Sequence, residues 1–192
     1  ILLANVPYFI QVLQMQELLC PFRPMFWRKH EQKKVSQGTV AMRLQYHTRN
    51  IQRIEGGLRQ PGVLLALRMA SVVDAAPGEF FEALFEEAAS AVRDGASSAH
   101  KRMGVMCQPL GSVDGMKSFF APLLAQARLA VGMWQTAMAK SAGYNLCNGN
   151  AVEKGKQEPG VKSALALVAA TGVDIREFFD HLHRLAAMPP EE

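Results

Sequence analysis

The sequence predicts an all-α protein that carries one small domain twice. Hydrophobic residues make up 49% of the chain and charged residues 20%, and Ala and Leu are abundant while β-branched runs are few, which favours helices over strands. Residues 35–81 recur without a gap as residues 133–179, an offset of 98 positions (135 − 37 = 98). An ungapped offset keeps loop lengths as well as residues, so both copies are expected to fold alike.

Identical residues occur at equivalent positions along the whole length of the two copies. The identical pairs include Gln37/Gln135, Ala41/Ala139, Tyr46/Tyr144, Asn50/Asn148, Glu55/Glu153, Gly57/Gly155, Pro61/Pro159, Phe80/Phe178 and Phe81/Phe179. Each repeated unit is about 60 residues long, near the small end of what folds alone. Two compact domains therefore fit within 192 residues.

Helix-breaking and helix-capping residues, together with hydrophobic periodicity, divide each copy into about five short helices. In the first copy we expect helix one over residues 26–34 and helix two from the N-cap Ser36 to about Gln45. Thr48 is a second N-cap candidate, and helix three is expected over residues 49–56. A tight turn joins helices two and three.

Helix breakers set the remaining boundaries. Gly57 is expected to stop helix three, and Gln-Pro-Gly at residues 60–62 precedes helix four, over residues 63–73. Pro77 opens helix five, whose two phenylalanines are expected to face the core. In the second copy the same boundaries fall at Trp134 and Gln135, Gly143 and Tyr144, Gly155, Pro159 and Ile175.

The expected domain order has five segments. Residues 1–21 form an apolar N-terminal helix, with a helical spacing of apolar side chains that suits packing on a domain or a dimer contact. The two five-helix domains span residues 22–89 and 118–187, residues 90–117 form a linker containing Gly and Ser, and residues 188–192 form a tail. Since position 1 is not Met, we expect a fragment or a chain lacking disordered residues.

Several function classes lack support in the sequence. The N-terminal segment has no basic start and no 18-residue apolar run, so neither a signal peptide nor a membrane span is expected. Three cysteines at unrelated spacings indicate no disulfide framework or zinc site, and a cytoplasmic location is expected. No nucleophile and base recur together and no phosphate-binding Gly loop follows a strand, so no enzyme, cofactor or metal is expected.

Basic charge is concentrated on the first copy. Residues 23–68 hold ten Lys or Arg and two acids, whereas residues 69–92 hold five acids and no Lys or Arg. The second copy, from Lys117 onward, has eight basic and seven acidic residues. The first copy is therefore expected to hold a polyanion more strongly.

Three strings of the first copy resemble the phage-repressor and Cro family of helix-turn-helix DNA-binding domains. They are residues 35–44 (VSQGTVAMRL), 48–57 (TRNIQRIEGG) and 59–61 (RQP). The second copy shows the resemblance in residues 135–140 (QTAMAK), 153–160 (EKGKQEPG) and 164–173 (ALALVAATGV). The likeness covers about 60 residues in each copy, with the five-helix spacing in register both times.

The resemblance implies roles for individual residues. The Gln at the start of helix two touches a phosphate in that family, a role that falls on Gln37 and Gln135. The first turns of helix three meet base edges, a role that falls on Thr48, Arg49, Gln52 and Arg53. Arg pairs with guanine and Gln with adenine. The flanking basic residues expected to contact phosphates are Lys33, Lys34 and Arg59.

The second copy departs from the family pattern in helix three. Leu146 and Cys147 replace polar readers, and Gly149 stands where Ile51 packs. Since Gly costs about 1 kcal/mol in a helix relative to Ala, a short or loose helix is expected. DNA contact is still open to Gln135, Asn145, Asn148, Asn150, Lys154 and Lys156. The alternative is a protein interface at Met133, Trp134 and Leu146.

A conserved acid of the family is interpreted as structural. The resemblance pairs it with a base on helix one, which places Arg128 opposite Glu153 and His30 opposite Glu55. Glu55 and Glu153 are therefore not counted among the DNA-contacting residues.

The resemblance implies a bacterial or phage-encoded transcription regulator that binds specific double-stranded DNA with its first copy. The second copy would add DNA or protein contact, and a linker span of about 30 Å would let both copies reach one duplex. A homodimer or another regulatory protein is a further expected partner. The alternative is a protein-binding regulator of the anti-activator or antitoxin type. The operator, the sign of regulation, any inducer and the choice between pseudo-dimer and true dimer stay open.

Overall fold

A computed structural model describes residues 22–56, 58–93 and 119–187. Within these ranges the chain forms ten α-helices and no β-strand, which confirms the all-α class. The first five helices are α1 Phe22–Gln32, α2 Gln37–Leu44, α3 Thr48–Glu55, α4 Val63–Val72 and α5 Pro77–Arg93. The next five are α6 Phe120–Ala130, α7 Gln135–Ser141, α8 Leu146–Glu153, α9 Val161–Thr171 and α10 Ile175–Ala187. None of the described helices has the length and apolar character needed to cross a membrane.

Each helix of the second set begins at the repeat offset from its counterpart in the first. We call α1–α5 the first copy and α6–α10 the second copy. Helix α1 starts earlier than residue 26, and α5 continues to Arg93, into the segment expected to be linker. The N-terminal segment 1–21, Gly57, the rest of the linker and the tail 188–192 lie outside the described residues.

Local side-chain bonds explain where α2 and α3 begin. The Ser36 hydroxyl accepts a hydrogen bond from the Thr39 N–H at 3.1 Å, which confirms Ser36 as an N-cap. The N-cap of α3 is His47 instead of Thr48, because the His47 Nδ1 accepts the Arg49 N–H at 3.2 Å. Thr48 is consequently the first residue inside α3.

Helix α8 has the same eight-residue length as α3, so the expectation of a shortened helix is wrong. Gly149 is buried, and a Cβ added there would lie 3.0 Å from the Ala139 Cβ on α7. The missing side chain lets α7 and α8 pack closely. This packing offsets the low helix propensity of Gly.

The expected pairs between helix one and helix three differ between the two copies. Arg128 Nε donates to Glu153 Oε1 at 2.7 Å, and both side chains are buried. His30 Nδ1 lies 4.0 Å from Glu55 Oε1, also in a buried environment. The Arg128–Glu153 pair confirms that Glu153 ties helix one to helix three, whereas His30 and Glu55 lie side by side without a hydrogen bond between them.

The two copies pack against each other through equivalent positions. Gly62 and Gly160 form an antiparallel bridge, in which the Val63 N–H donates to Pro159 O at 3.0 Å and the Val161 N–H donates to Pro61 O at 3.3 Å. Each bond is the repeat counterpart of the other. Such reciprocity defines an isologous interface, here about a pseudo-twofold axis within one chain.

Helices α5 and α10 extend this interface. The rings of Phe81 and Phe179, which are repeat counterparts, stack with centroids 4.0 Å apart and planes 14° apart. Nearby, the Gly78 N–H donates to Asp180 Oδ1 at 2.8 Å. At the counterpart position Arg176 pairs with Glu79 at 2.6 Å. The phenylalanines expected in separate cores therefore join the cores of the two copies.

One acid from the second copy caps a helix of the first. Helix α4 has Gly62 at its N-cap, which supplies no side-chain oxygen. Glu158 Oε1 accepts the Leu64 N–H at 3.0 Å in its place. The start of α4 therefore depends on contact between the copies.

Matched glycine substitutions test this cap. A Cβ at Gly62 would lie 2.5 Å from Glu158 Oε1, whereas the nearest atom to a Cβ at Gly160 is 3.7 Å away. We expect Gly62→Ala to displace Glu158 and to lower the free energy of unfolding by about 1 kcal/mol. Gly160→Ala should be neutral or stabilise by up to about 1 kcal/mol, because the backbone there is compatible with Ala. Urea denaturation of both variants measures the difference, and equal effects would contradict the cap.

The stacked rings permit a second test of the interface. Phe81→Ala and Phe179→Ala should each cost about 3–5 kcal/mol of unfolding free energy. The double variant should fall short of the sum by about 0.5–1.5 kcal/mol, because the rings interact with each other. Trp134→Ala, at a side chain 80% exposed, is the control and should change stability by less than about 0.5 kcal/mol. Strict additivity would show that the rings do not stabilise each other.

Candidate nucleic-acid interface

Helix α3 separates its apolar and polar side chains. Ile51 and Ile54 are fully buried, and they anchor the helix on the core of the first copy. Arg49, Gln52 and Arg53 are exposed on the opposite side, as the helical period requires. Three of the four expected base-reading residues therefore share one solvent-facing surface.

The fourth expected reader, Thr48, is half-buried at the first turn of α3. The His47 cap beside it occupies the Arg49 N–H. The N-terminus of the helix also carries a partial positive charge. The cap thus orients the first turn of α3 before any ligand binds.

Gln37 joins α2 to α3. Its Nε2 donates to Glu55 Oε2 at 2.5 Å, and the side chain is half-buried. This contact is different from the phosphate contact that the resemblance implies, and it positions the start of α2 against the end of α3. In the second copy Glu153 is held by Arg128 instead, and Gln135 is half-buried at the start of α7.

The expected phosphate-contacting bases lie around this surface. Lys33 and Lys34 are exposed in the turn between α1 and α2, and Lys33 Nζ lies 3.8 Å from Asp74 Oδ2. Exposed ion pairs are worth little, so a phosphate can replace Asp74 at small cost. Arg59 is half-buried, and its charge acts on the Tyr46 phenol.

The second copy places different chemistry on the equivalent helix. The repeat counterparts of the four readers are Leu146, Cys147, Asn150 and Ala151. Leu146 is 47% exposed and Cys147 is an exposed free thiol. Asn150 is half-buried, and its buried Oδ1 has no hydrogen-bond partner among the described residues. These four positions include no cationic side chain.

The other second-copy candidates lie at the edges of α8. The Asn145 Oδ1 caps α8 by accepting the Cys147 N–H at 2.9 Å. Asn148 is exposed and lines a cavity of about 320 Å³ between α8 and α9. Lys154 and Lys156 are exposed beyond the end of α8. Asn148, Lys154 and Lys156 are therefore accessible to a ligand, whereas the Asn145 Oδ1 is used in capping α8.

Sequence reasoning did not find this cavity. Its wall contains Ser163 and Ala166, where the first copy has the larger Leu65 and Arg68. The smaller side chains at these two repeat positions are the sequence signal that points to the cavity.

Apolar side chains are exposed around the second copy's α6–α7 turn. Trp134 is 80% exposed, Leu129 64% and Val131 49%. Their repeat counterparts are Ser36, Glu31 and Lys33. The same surface is thus polar in the first copy and apolar in the second.

Two ionisable groups lie where the copies meet. Burial raises the pKa of the Tyr46 phenol above its ordinary value, an effect that Arg59 opposes. Burial also raises the pKa of the Glu158 carboxyl, and the hydrogen bond from the Leu64 N–H acts in the opposite direction. Among the described residues no group of three or more His, Cys, Asp and Glu side chains is placed to hold a metal ion.

Comparison with protein-family models, curated proteins and solved structures finds no match to this chain.

Glu158 predicts a pH dependence of stability. Since its pKa is raised in the folded state, ionised Glu158 destabilises the fold at neutral pH, and this cost decreases as the pH falls from the raised pKa to the ordinary value of 4.5. Glu158→Gln keeps an oxygen acceptor without the charge, so we expect it to be more stable than the wild type at pH 7. The advantage should shrink as the pH approaches 4.5, the ordinary value for Glu.

Urea denaturation between neutral pH and pH 4.5 measures this advantage. Glu86→Gln, at an exposed acid on α5, is the matched control. An advantage that does not change with pH would contradict the assignment to Glu158.

Proposed function

We propose that this chain is a sequence-specific regulator of transcription that binds double-stranded DNA through two tandem repressor-like helix-turn-helix domains. The observation that supports this most is the outward surface of α3, with Arg49, Gln52 and Arg53 exposed opposite two fully buried isoleucines. An α-helix fits the major groove, where Arg pairs with guanine and Gln with adenine. A DNA-bound regulator of this kind would work in the cytoplasm of a bacterium, and phage could encode it.

The surroundings of α3 suit a phosphate backbone. Lys33 and Lys34 lie just before the N-terminus of α2, whose free N–H groups favour an anion. These contacts add affinity without sequence choice and make binding depend on salt. Specificity would reside in α3 and general affinity in the lysines beside it.

A second function has a separate observation in its favour. The exposed apolar side chains Leu129, Trp134 and Leu146 lie on the second copy, where the first copy is polar. Grouped apolar exposure is typical of protein interfaces. A protein-binding regulator of the anti-activator or antitoxin type would use this surface and need no DNA.

Fluorescence anisotropy of the purified chain with duplex DNA across a salt series tests the proposal. Changing Arg49, Gln52 and Arg53 to Ala should weaken binding, with each reader contributing about 1–3 kcal/mol on the selected cognate site. Lys33→Ala should weaken cognate and random DNA alike. The control changes Lys29 and Arg184 to Ala, which also removes two positive charges but from exposed positions outside α3.

Two outcomes would overturn the proposal. Equal loss in the reader variant and the control would mean that only net charge matters. Absence of binding at low salt would place the protein-binding function first, and a stable complex with another regulatory protein would then be sought.

A further inference from the structure

The pseudo-twofold axis relates the two candidate reading helices. Gly62 meets Gly160 and Phe81 meets Phe179, so the axis relates every α3 position to its α8 counterpart. Groups related by a twofold axis lie at the same height along it. Helices α3 and α8 are consequently related to each other as the reading helices of the two protomers in a DNA-binding dimer are.

Twofold-related reading helices meet two half-sites on one duplex. Their centres are separated by about one helical turn, roughly 10 base pairs. In a homodimer both half-sites are the same because both helices are the same. Here the two helices belong to one chain and differ at all four counterpart positions.

The chemistry of α8 excludes the main guanine contact. Guanine presents two acceptors in the major groove, which Arg or Lys pairs with. In the first turns of α8, Cys147 and Ala151 stand where α3 has Arg49 and Arg53. Without a cationic donor at these positions, α8 gives guanine no bidentate partner.

The same positions suit A·T base pairs. Apolar side chains contact the thymine methyl group, and Asn pairs with adenine. Leu146 is exposed, and Asn150 has a buried Oδ1 without a partner among the described residues. Because that oxygen is buried, the contact of exposed Leu146 with a thymine methyl group is the main support for an A·T preference.

Backbone contact is retained in the second copy. Lys154 and Lys156 are exposed just beyond α8, and Lys140 is exposed in the last turn of α7. These bases allow the second copy to hold phosphates while it reads few bases.

We infer that one chain occupies one asymmetric DNA site, with a guanine-containing half-site under the first copy and an A·T half-site under the second. This inference rests on the proposed function and names the class of DNA that the function would use. One chain then occupies both half-sites of its DNA, as two identical protomers occupy the half-sites of a palindrome.

Selection of the full chain on a library of random duplexes, followed by sequencing, tests the inference. We expect a motif without twofold symmetry, with guanine in one half and A·T pairs about one turn away. Native mass spectrometry should show one chain per duplex. A duplex with two guanine half-sites should bind about tenfold more weakly than the selected site, or weaker still.

Matched variants assign the two halves. Changing Arg49, Gln52 and Arg53 to Ala should remove the preference in the guanine half alone. Leu146→Thr, Cys147→Arg, Asn150→Gln and Ala151→Arg together place the α3 readers on α8. This graft should shift the selected motif towards a palindrome with guanine in both halves, and circular dichroism checks that both variants fold.

The outcomes separate the inference from the proposed function. No salt-dependent DNA binding at all would overturn both. A palindromic motif bound by two chains, a motif confined to one half-site, or an unchanged motif for the graft would overturn the inference alone and leave a DNA-binding regulator.

Discussion

The close approach of Gly62 and Gly160 is the constraint on which the rest of the architecture depends. Here the two backbones exchange a pair of N–H···O=C bonds where α4 and α9 begin. This contact fixes the relative direction of the copies, and α5 and α10 then bring Phe81 and Phe179 face to face. A side chain at Gly62 would meet the carboxyl that caps α4. Backbone proximity, the helix cap and the shared aromatic core therefore form one connected unit.

Duplication within one chain allows the copies to diverge at counterpart positions. At the axis, Glu158 caps α4, whereas its counterpart is the neutral Gln60. On the outer surface, Ser36 and Thr48 are replaced by Trp134 and Leu146, so these two positions are polar in one copy and apolar in the other. A homodimer cannot vary in this way, because every substitution appears twice. Because the copies are linked in one chain, the outer residues of one copy can change while the interface between the copies is kept.

Much of the helical framework could be predicted from sequence because its signals are local. Ser36 and Pro77 mark helix starts through their own backbone and side-chain chemistry, and the helical period placed Arg49 and Arg53 opposite Ile51. The packing of the copies could not be predicted, since apolar residues that join two cores look like residues of either core. Glu158 caps a helix 94 positions away, and Gly149 was misjudged because its close partner Ala139 is known only in three dimensions.

Placing both halves of the interface in one polypeptide has a consequence for how the protein responds to dilution. Two separate protomers dissociate when their concentration falls below the dissociation constant, so the paired form becomes scarce when few molecules are present. Tethered halves meet at an effective concentration set by the connecting segment, on the order of millimolar for a short flexible one. Their pairing is independent of copy number. A handful of molecules per cell would therefore keep the paired arrangement, and occupancy of a target would rise linearly with abundance instead of with its square.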